Sequence, residues 1–486
     1  MARRNRKKAA RQAHRPNSSA AKPKAPKKPS KPKAPKPPKP VKNPRPVTKP
    51  PPIPAYGNLL GAGGRLFADP VPGADEATFQ VDNTSSQYYN SPYYKLHQYQ
   101  MQPVPAPSMA QPRMNLSDVT GTDFANAIAA ARTISFHAVG DTGAANVSTS
   151  RPVATVIAQE AGVADAMAAD VAAGGPGAPA FFFHLGDIIY HFGEDRYYYD
   201  QFYEPFRGYD RPIFAIPGNH DGSVYGQSTT TPAIPTLQGY LRNFCAPAPG
   251  PAADAGALVR SLMTQPGVYF TLDAPFVSII GLYSNVLEGP GVISSQGGAY
   301  PTMNDDQLTF LQAELTRLKP ERAAGERAVI VAVHHPPASI DGLHGGTLGL
   351  SNDLDSCFAA AGLWPDAVLS GHAHLYQRFS HTVAGLNRTI PYIVSGSGGF
   401  AASAPQYKSP VVGTTIDTFT LETVPYIDFG YLTATVDMKG AVGMLTIKYS
   451  SVSQAAVSDS ITVPIATTTS AASGPAHPKM RRPRRG

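Results

Sequence analysis

The sequence predicts an α/β fold. Short, β-rich apolar runs recur from residue 132 onward, helical patterns separate several of them, and most of the runs end on Gly-Asp or on a histidine cluster. Nearly continuous apolar runs suit strands buried on both faces. Strands alternating with helical stretches are the mark of this class.

The elements follow in order. Residues 1–54 are a Lys/Pro/Ala tract containing AKPKAPKKPSKPKAPKPPKP. Such a segment buries too little surface to offset its ordering entropy, so a disordered tail with polyproline II character is expected. Residues 55–131 are rich in Tyr, Gln, Pro and Asn and are poorly periodic, which predicts an irregular arm with a short helix near 122–131. From 132 to 400 come the strand runs TISFHAVGD, AFFFHLGD, PIFAIPGNHD, RAVIVAVHHPP and DAVLSGHAH. Between them, VATVIAQEAGVADAMAADVAA has helical spacing and stops at Gly174-Gly175, while NDDQLTFLQAELTRLK opens on an Asn/Asp cap and is expected to stop at Lys319-Pro320. Residues 222–265, rich in Thr, Pro and Ala, read as a long connection of the lid or insertion type. Then YIVSGSGGF, YLTATVDM and VGMLTIKYS read as strands, the last two as a hairpin around Lys439-Gly440. Residues 401–465 are expected to complete the sheet, and 466–486 to form a second disordered basic tail.

Charge is unevenly placed. The net charge is +8, yet residues 1–50 hold 18 Lys or Arg with no acid, and 479–485 hold five more. Subtracting both leaves the body near −15, so its surface does not read as a nucleic-acid face. The tails themselves fit either a solubiliser or a salt-sensitive binder of polyanions or nucleic acid. Two cysteines, Cys245 and Cys357, exclude a disulfide scaffold and a Cys-based zinc site; they read as two buried thiols or one disulfide. No apolar run approaches the length of a transmembrane helix. Residues 1–50 lack the apolar stretch of a secretory signal, which sets the expectation of a cytoplasmic location.

The polar residues that follow the strand runs carry the chemistry. They are Asp141, Asp187 with Tyr190, Asn219 with His220, His334 with His335, and His372 with His374. Carboxyl ends of strands in an α/β sheet converge on one edge, where ligands bind. Carboxylates gathered there would repel one another without a cation. Mixed Asp, His, Asn and Tyr donors suit Fe, Zn or Mn better than Ca or Mg. Each piece alone is more often structural: Gly-Asp is common, Gly-Asn favours turns, and one histidine of a pair can sit in a core. Their joint occurrence behind five apolar strands points to a metal centre.

The series GDTG (140–143), GDIIY (186–190), GNHD (218–221), VHHPP (333–337) and GHAH (371–374) resembles the calcineurin-like metallophosphoesterase superfamily, and within it the purple acid phosphatase branch. The first motif departs from the usual Asp-x-His, since Gly143 stands where the histidine would be; Tyr190, three after Asp187, is the phenolate that the purple branch uses instead. The likeness covers about 132–400, with a C-terminal extension to about 465. It implies a β-sandwich of mixed sheets flanked by helices, with 132–400 as the catalytic domain. It further implies two metal ions, Fe(III) and a divalent Fe, Zn or Mn. Asp187 would bridge them; Asp141, Tyr190 and His374 would complete the ferric site, and Asn219, His334 and His372 the divalent one. His334 is preferred to His335 because it fits the family's His-x-Pro. His220 would contact the phosphate of a phosphate ester substrate, and His344, ten residues beyond His334, would donate a proton, although a surface-loop histidine reads nearly as well there. His191 reads as a loop residue or one that backs the ligands, and Glu194 and Asp195 as the rim of the cleft.

Such a pair clamps phosphoryl oxygens and acidifies bound water. The expected function is therefore hydrolysis of phosphate monoesters by direct attack of a metal-bound hydroxide, with no phosphoenzyme. The alternatives are a phosphodiesterase of the same fold, a polyanion or nucleic-acid binder with a degenerate site, and a plain zinc or manganese enzyme in which Tyr190 is only packed.

Overall fold

Runs that are apolar throughout become strands covered on both faces. The computed structural model describes residues 101–144, 153–223, 236–286, 290–341, 344–401, 411–454 and 457–465. All of them belong to one compact unit, Pro50–Gly486. The tails at 1–54 and 466–486 and the arm to residue 100 lie outside the described residues.

In chain order the strands are β1 (Arg113–Asn115), β2 (Thr133–Val139), β3 (Pro179–His184), β4 (Ile213–Ala215), β5 (Phe270–Ala274), β6 (Val277–Leu282), β7 (Ala328–Val333) and β8 (Ala367–Ser370). They continue with β9 (Tyr376–His381), β10 (Ile390–Ser395), β11 (Thr415–Ile416), β12 (Phe419–Leu421), β13 (Gly430–Asp437), β14 (Gly443–Ser451) and β15 (Ser458–Ile465). The main helices are α1 (Leu116–Thr120), α2 (Thr122–Ala131), α3 (Val153–Ala173), α4 (Gln238–Phe244), α5 (Asp306–Ala323) and α6 (Leu348–Ala361). Every residue of β2, β3, β7 and β8 is buried.

Two mixed sheets result. One runs β1-β5-β6-β7-β8-β10-β9-β12-β11 and the other β15-β14-β13-β2-β3-β4. Strands β6, β7, β8 and β10 are parallel in the first, and β2, β3 and β4 in the second. One hydrophobic core contains residues of both sheets. Phe183 of β3 stacks on Phe270 of β5 across it, with centroids 6.1 Å apart. Aromatic pairs of this geometry add to what their buried area contributes.

Local expectations are met at several points. α2 occupies 122–131, and α3 ends where Gly174 and Gly175 take φ values of 68° and 85°, which glycine adopts without a Cβ clash. β13 and β14 pair as a hairpin, with Asp437 opposite Met444. Cys245 and Cys357 are free thiols.

Other expectations are corrected. α5 does not stop at Pro320 but runs on to Ala323. The carbonyl that Pro320 leaves without an N–H belongs to Thr316, which faces water, and the last turn is anchored by buried Arg322, whose guanidinium pairs with Asp366 at 2.7 Å. The stretch 222–265, read as a lid or insertion, carries an element of its own. α4 lies inside it and buries Tyr240 and Phe244, whose rings stack at 5.1 Å. Residues 224–235 are outside the described set. Within the arm expected to be irregular, β1 pairs in parallel with β5 at the edge of the larger sheet.

Candidate metal centre

The C-terminal ends of the two parallel strand groups meet. Asp141 follows β2, Asp187 follows β3, Asn219 opens a single helical turn after β4, His334 follows β7, and His372 and His374 follow β8. Three of these positions turn sharply off their strands: Asp141, Asp187 and His372 have φ of 61°, 55° and 65°. Left-handed backbone at a non-glycine residue costs free energy and persists where the surroundings over-determine it. Glycines make room around these turns. A Cβ on Gly186 would lie 2.6 Å from His334 Nδ1, and one on Gly371 2.6 Å from Asp141 Oδ2.

The side chains converge in two groups that share Asp187. In the first, the Tyr190 hydroxyl donates to Asp141 Oδ1 (3.0 Å) and to Asp187 Oδ2 (3.1 Å), and lies 3.3 Å from His374 Nε2. In the second, Asn219 Oδ1 lies 3.1 Å from His334 Nε2 and 3.0 Å from His372 Nδ1. His334 Nε2 is also 3.2 Å from Asp187 Oδ2, while its Nδ1–H donates to the Leu185 carbonyl at 2.8 Å. That contact leaves Nε2 free to act as a donor atom toward a cation.

The electrostatics are those of a site built around positive charge. Burial pushes the Tyr190 phenol well above its ordinary value, and Asp141 and Asp187 push it further. Burial alone would raise the Asp187 carboxyl, but His334 and His220 hold it well below the usual carboxylate range. Burial would lower His334, yet Asp187 wins and raises it to about 9. His372 is held well below its ordinary value by burial and by the rings of His335 and His344. Ligand atoms of Asp187, His334 and His372 lie within 4.8 Å of one another, a spacing that a cation can bridge. Two buried carboxylates, a phenol and imidazoles gathered in two adjoining groups are an apt donor set for hard or borderline metal ions.

The remaining sequence candidates lie against this centre. The His220 backbone N–H donates to Asp187 Oδ1 at 2.9 Å, and its ring is 4.5 Å from that of Tyr190. The His344 ring lies 4.6 Å from His372 and 5.0 Å from His374, so it belongs to the cleft rather than to a remote surface loop. His335 packs its ring 4.1 Å from that of His372, and its Nδ1 lies 2.7 Å from Ser284 Oγ. His191 is buried and packs edge-on to His220 at 5.6 Å. Glu194, expected at the rim, is buried, whereas Asp195 pairs with Arg242 at 2.8 Å.

Several supporting residues escape a reading of the sequence. Asp221 accepts N–H bonds from Gly218, Ile188 and Ile189, tying the Asn219 turn to the Asp187 segment. His184 accepts from the Gly186 N–H at Nδ1 (3.1 Å) and faces Thr142 Oγ1 at Nε2 (2.9 Å), which joins two of the motif loops. Asp341 Oδ2 lies 2.8 Å from His344 Nδ1. Phe400 stacks on Tyr190, ring centroids 3.4 Å apart and nearly parallel. Asp221, the last letter of GNHD, and His184, inside AFFFHLGD, stood in motif runs; Asp341 and Phe400 did not.

The family model described as calcineurin-like phosphoesterase matches residues 134–376. No curated protein matches the chain. Among solved structures, a purple acid phosphatase from seeds of yellow lupin (Lupinus luteus) is 15% identical, with a TM-score of 0.46, over 77% of this chain and 59% of its own. PhoD is 12% identical with a TM-score of 0.39, over 75% and 74%. A dimetal phosphatase from Danio rerio is 13% identical with a TM-score of 0.38, over 68% and 99%.

Proposed function

This chain belongs to the calcineurin-like phosphoesterase family, and from that premise we propose that it is a dinuclear-metal phosphomonoesterase of the purple acid phosphatase type. The observation that carries this reading is the Tyr190 hydroxyl, 3.0 to 3.3 Å from Asp141, Asp187 and His374, beside the Asn219, His334 and His372 group. A phenol in that position is a hard, charged donor once ionised, which favours Fe(III). Asp141, Tyr190 and His374 would hold that ion; Asn219, His334 and His372 would hold a divalent Fe, Zn or Mn, with Asp187 shared. When bound, the ion pair supplies Lewis acidity toward the phosphoryl oxygens and an acidic water.

The chain's own residues do the rest. Asp187 Oδ2 faces both groups, Tyr190 in one and His334 in the other, while Oδ1 is held by the His220 N–H, so this carboxylate would be the one shared between two ions. His220, at the rim beside Tyr190, would receive a phosphoryl oxygen. His344 would protonate the leaving oxygen, with Asp341 holding its Nδ1 so that Nε2 is the working nitrogen. The turns at Asp141, Asp187 and His372 fix these groups before substrate arrives.

The test is elemental analysis and the visible spectrum of the purified protein, followed by assay of p-nitrophenyl phosphate against its bis ester. The reading expects two metals per chain, a phenolate-to-iron band, and faster turnover of the monoester. Preference for the bis ester would make the chain a phosphodiesterase. Failure on both with metals bound would remove the hydrolase reading.

A further inference from the structure

Beyond β3 the segment 187–190 leaves the sheet, and its buried N–H groups must find acceptors elsewhere. Asp221 takes those of Ile188 and Ile189. At Tyr190 a different residue serves. Gln201 Oε1 accepts the Tyr190 N–H at 2.9 Å, and Gln201 Nε2 donates to the Tyr190 carbonyl at 2.9 Å. A side-chain amide offers both a donor and an acceptor, so it can pair with one residue as a neighbouring strand would. Gln201 is fully buried and sits on the π-helical turn Tyr199–Tyr203. Gly143 leaves it room: a Cβ there would stand 2.8 Å from Gln201 Oε1.

We propose that Gln201 is a positioning residue that presents the Tyr190 phenol to the first metal, and so sets how tightly that ion is retained. The proposal rests on reading Tyr190 as a ligand. Gln201 fixes the main chain from one side, and Phe400 covers the ring from another. With both in place the hydroxyl has one position, the one facing Asp141, Asp187 and His374. Removing the amide frees the peptide to rotate and the phenol to withdraw, while leaving every ligand in the sequence.

The experiment compares wild type, Gln201→Leu and Tyr190→Phe, each loaded with ferric iron and zinc. The readouts are the visible band, iron per chain, the rate of iron release to a chelator, and circular dichroism. Gln201→Leu is expected to keep its dichroism, to weaken and shift the band, and to release iron about tenfold faster or more. Phe136→Leu, a core change with no contact to Tyr190, is expected to lower Tm and leave the band alone, which separates positioning from general loosening. If Gln201→Leu does not fold, Gln201→Glu, which still accepts the Tyr190 N–H but cannot donate to its carbonyl, carries the same expectation. A folded Gln201 variant with wild-type band and release rate overturns the proposal. A band that survives in Tyr190→Phe overturns instead the reading of Tyr190 as a ligand.

Discussion

A histidine in this cleft works only if its other ring nitrogen is spoken for. The 2.8 Å contact from Asp341 does that for His344. Replacing His344 by Gln is therefore expected to lower kcat on alkyl phosphates, whose alkoxide needs a proton, by about a hundredfold. The fall on p-nitrophenyl phosphate, a good leaving group, should be much smaller; Asp341→Asn should act in the same direction and less strongly. Equal losses on both substrates would contradict the role. His184 gives a pH prediction. Burial, with His334 adding to it, lowers this imidazole to about 3, and the neutral ring accepts the Gly186 N–H. The folded value lies below the unfolded value near 6.5, so the unfolded chain binds the extra proton. Stability is then complete above about pH 6.5 and is lost as the pH falls toward 3, by up to roughly 4–5 kcal/mol. Denaturant titrations across that range should show the slope, and His184→Gln should flatten it. The candidate donor residues were legible in the sequence, because each lies within a few residues of its strand end. Phe400 was not, because its partner Tyr190 lies far away in the chain, and Gln201 and Asp341 were not, because their contacts with Tyr190 and His344 depend on how irregular backbone folds, which no apolar period marks.

The elements that follow hydrophobic pattern were legible too. Fully buried strands and the apolar spacing of α3 state their own identity, since each must cover its apolar side chains. Pro320 misled because proline ends helices only where the tertiary structure gives the next turn nothing to hold. Here Arg322, one per cent exposed, bonds Asp366, which also accepts the Val329 N–H at 2.9 Å. Truncating Arg322 to Ala strips buried Asp366 of its ion-pair partner, leaving it the Val329 N–H and the field of Arg388, and should cost about 3–5 kcal/mol in denaturant unfolding. Arg322→Met should cost less in packing but leave the same charge unpaired. A loss below about 1 kcal/mol would mean that water reaches Asp366. The stretch around α4 hid its helix for the opposite reason. Its Pro and Ala content reads as loop, while the helix is held by Tyr240 and Phe244 docking into the core.

At the scale of the whole molecule, the candidate centre is a seam. Asp141, Asp187 and Asn219 come from the six-stranded sheet, and His334, His372 and His374 from the nine-stranded one. A bound ion pair would tie the two sheets together, so chelation should lower Tm by several degrees, and free metal at a thousand times its Kd should restore about 4 kcal/mol. Calorimetry with and without chelator measures this; an unchanged Tm after verified metal loss would mean that the sandwich holds itself together without the ions. The sequence by itself determined the α/β class, the strand ends and the candidate donor residues behind them, because hydrophobic period and short-range motifs are local properties. It also showed that the +8 charge belongs to the ends of the chain. Only the tertiary structure decided that two sheets contribute to one centre, that His344 faces His372 and His374, and that Gln201 and Phe400 fix Tyr190. Those facts depend on which distant segments the buried core brings within a few ångströms, and no local pattern encodes that distance.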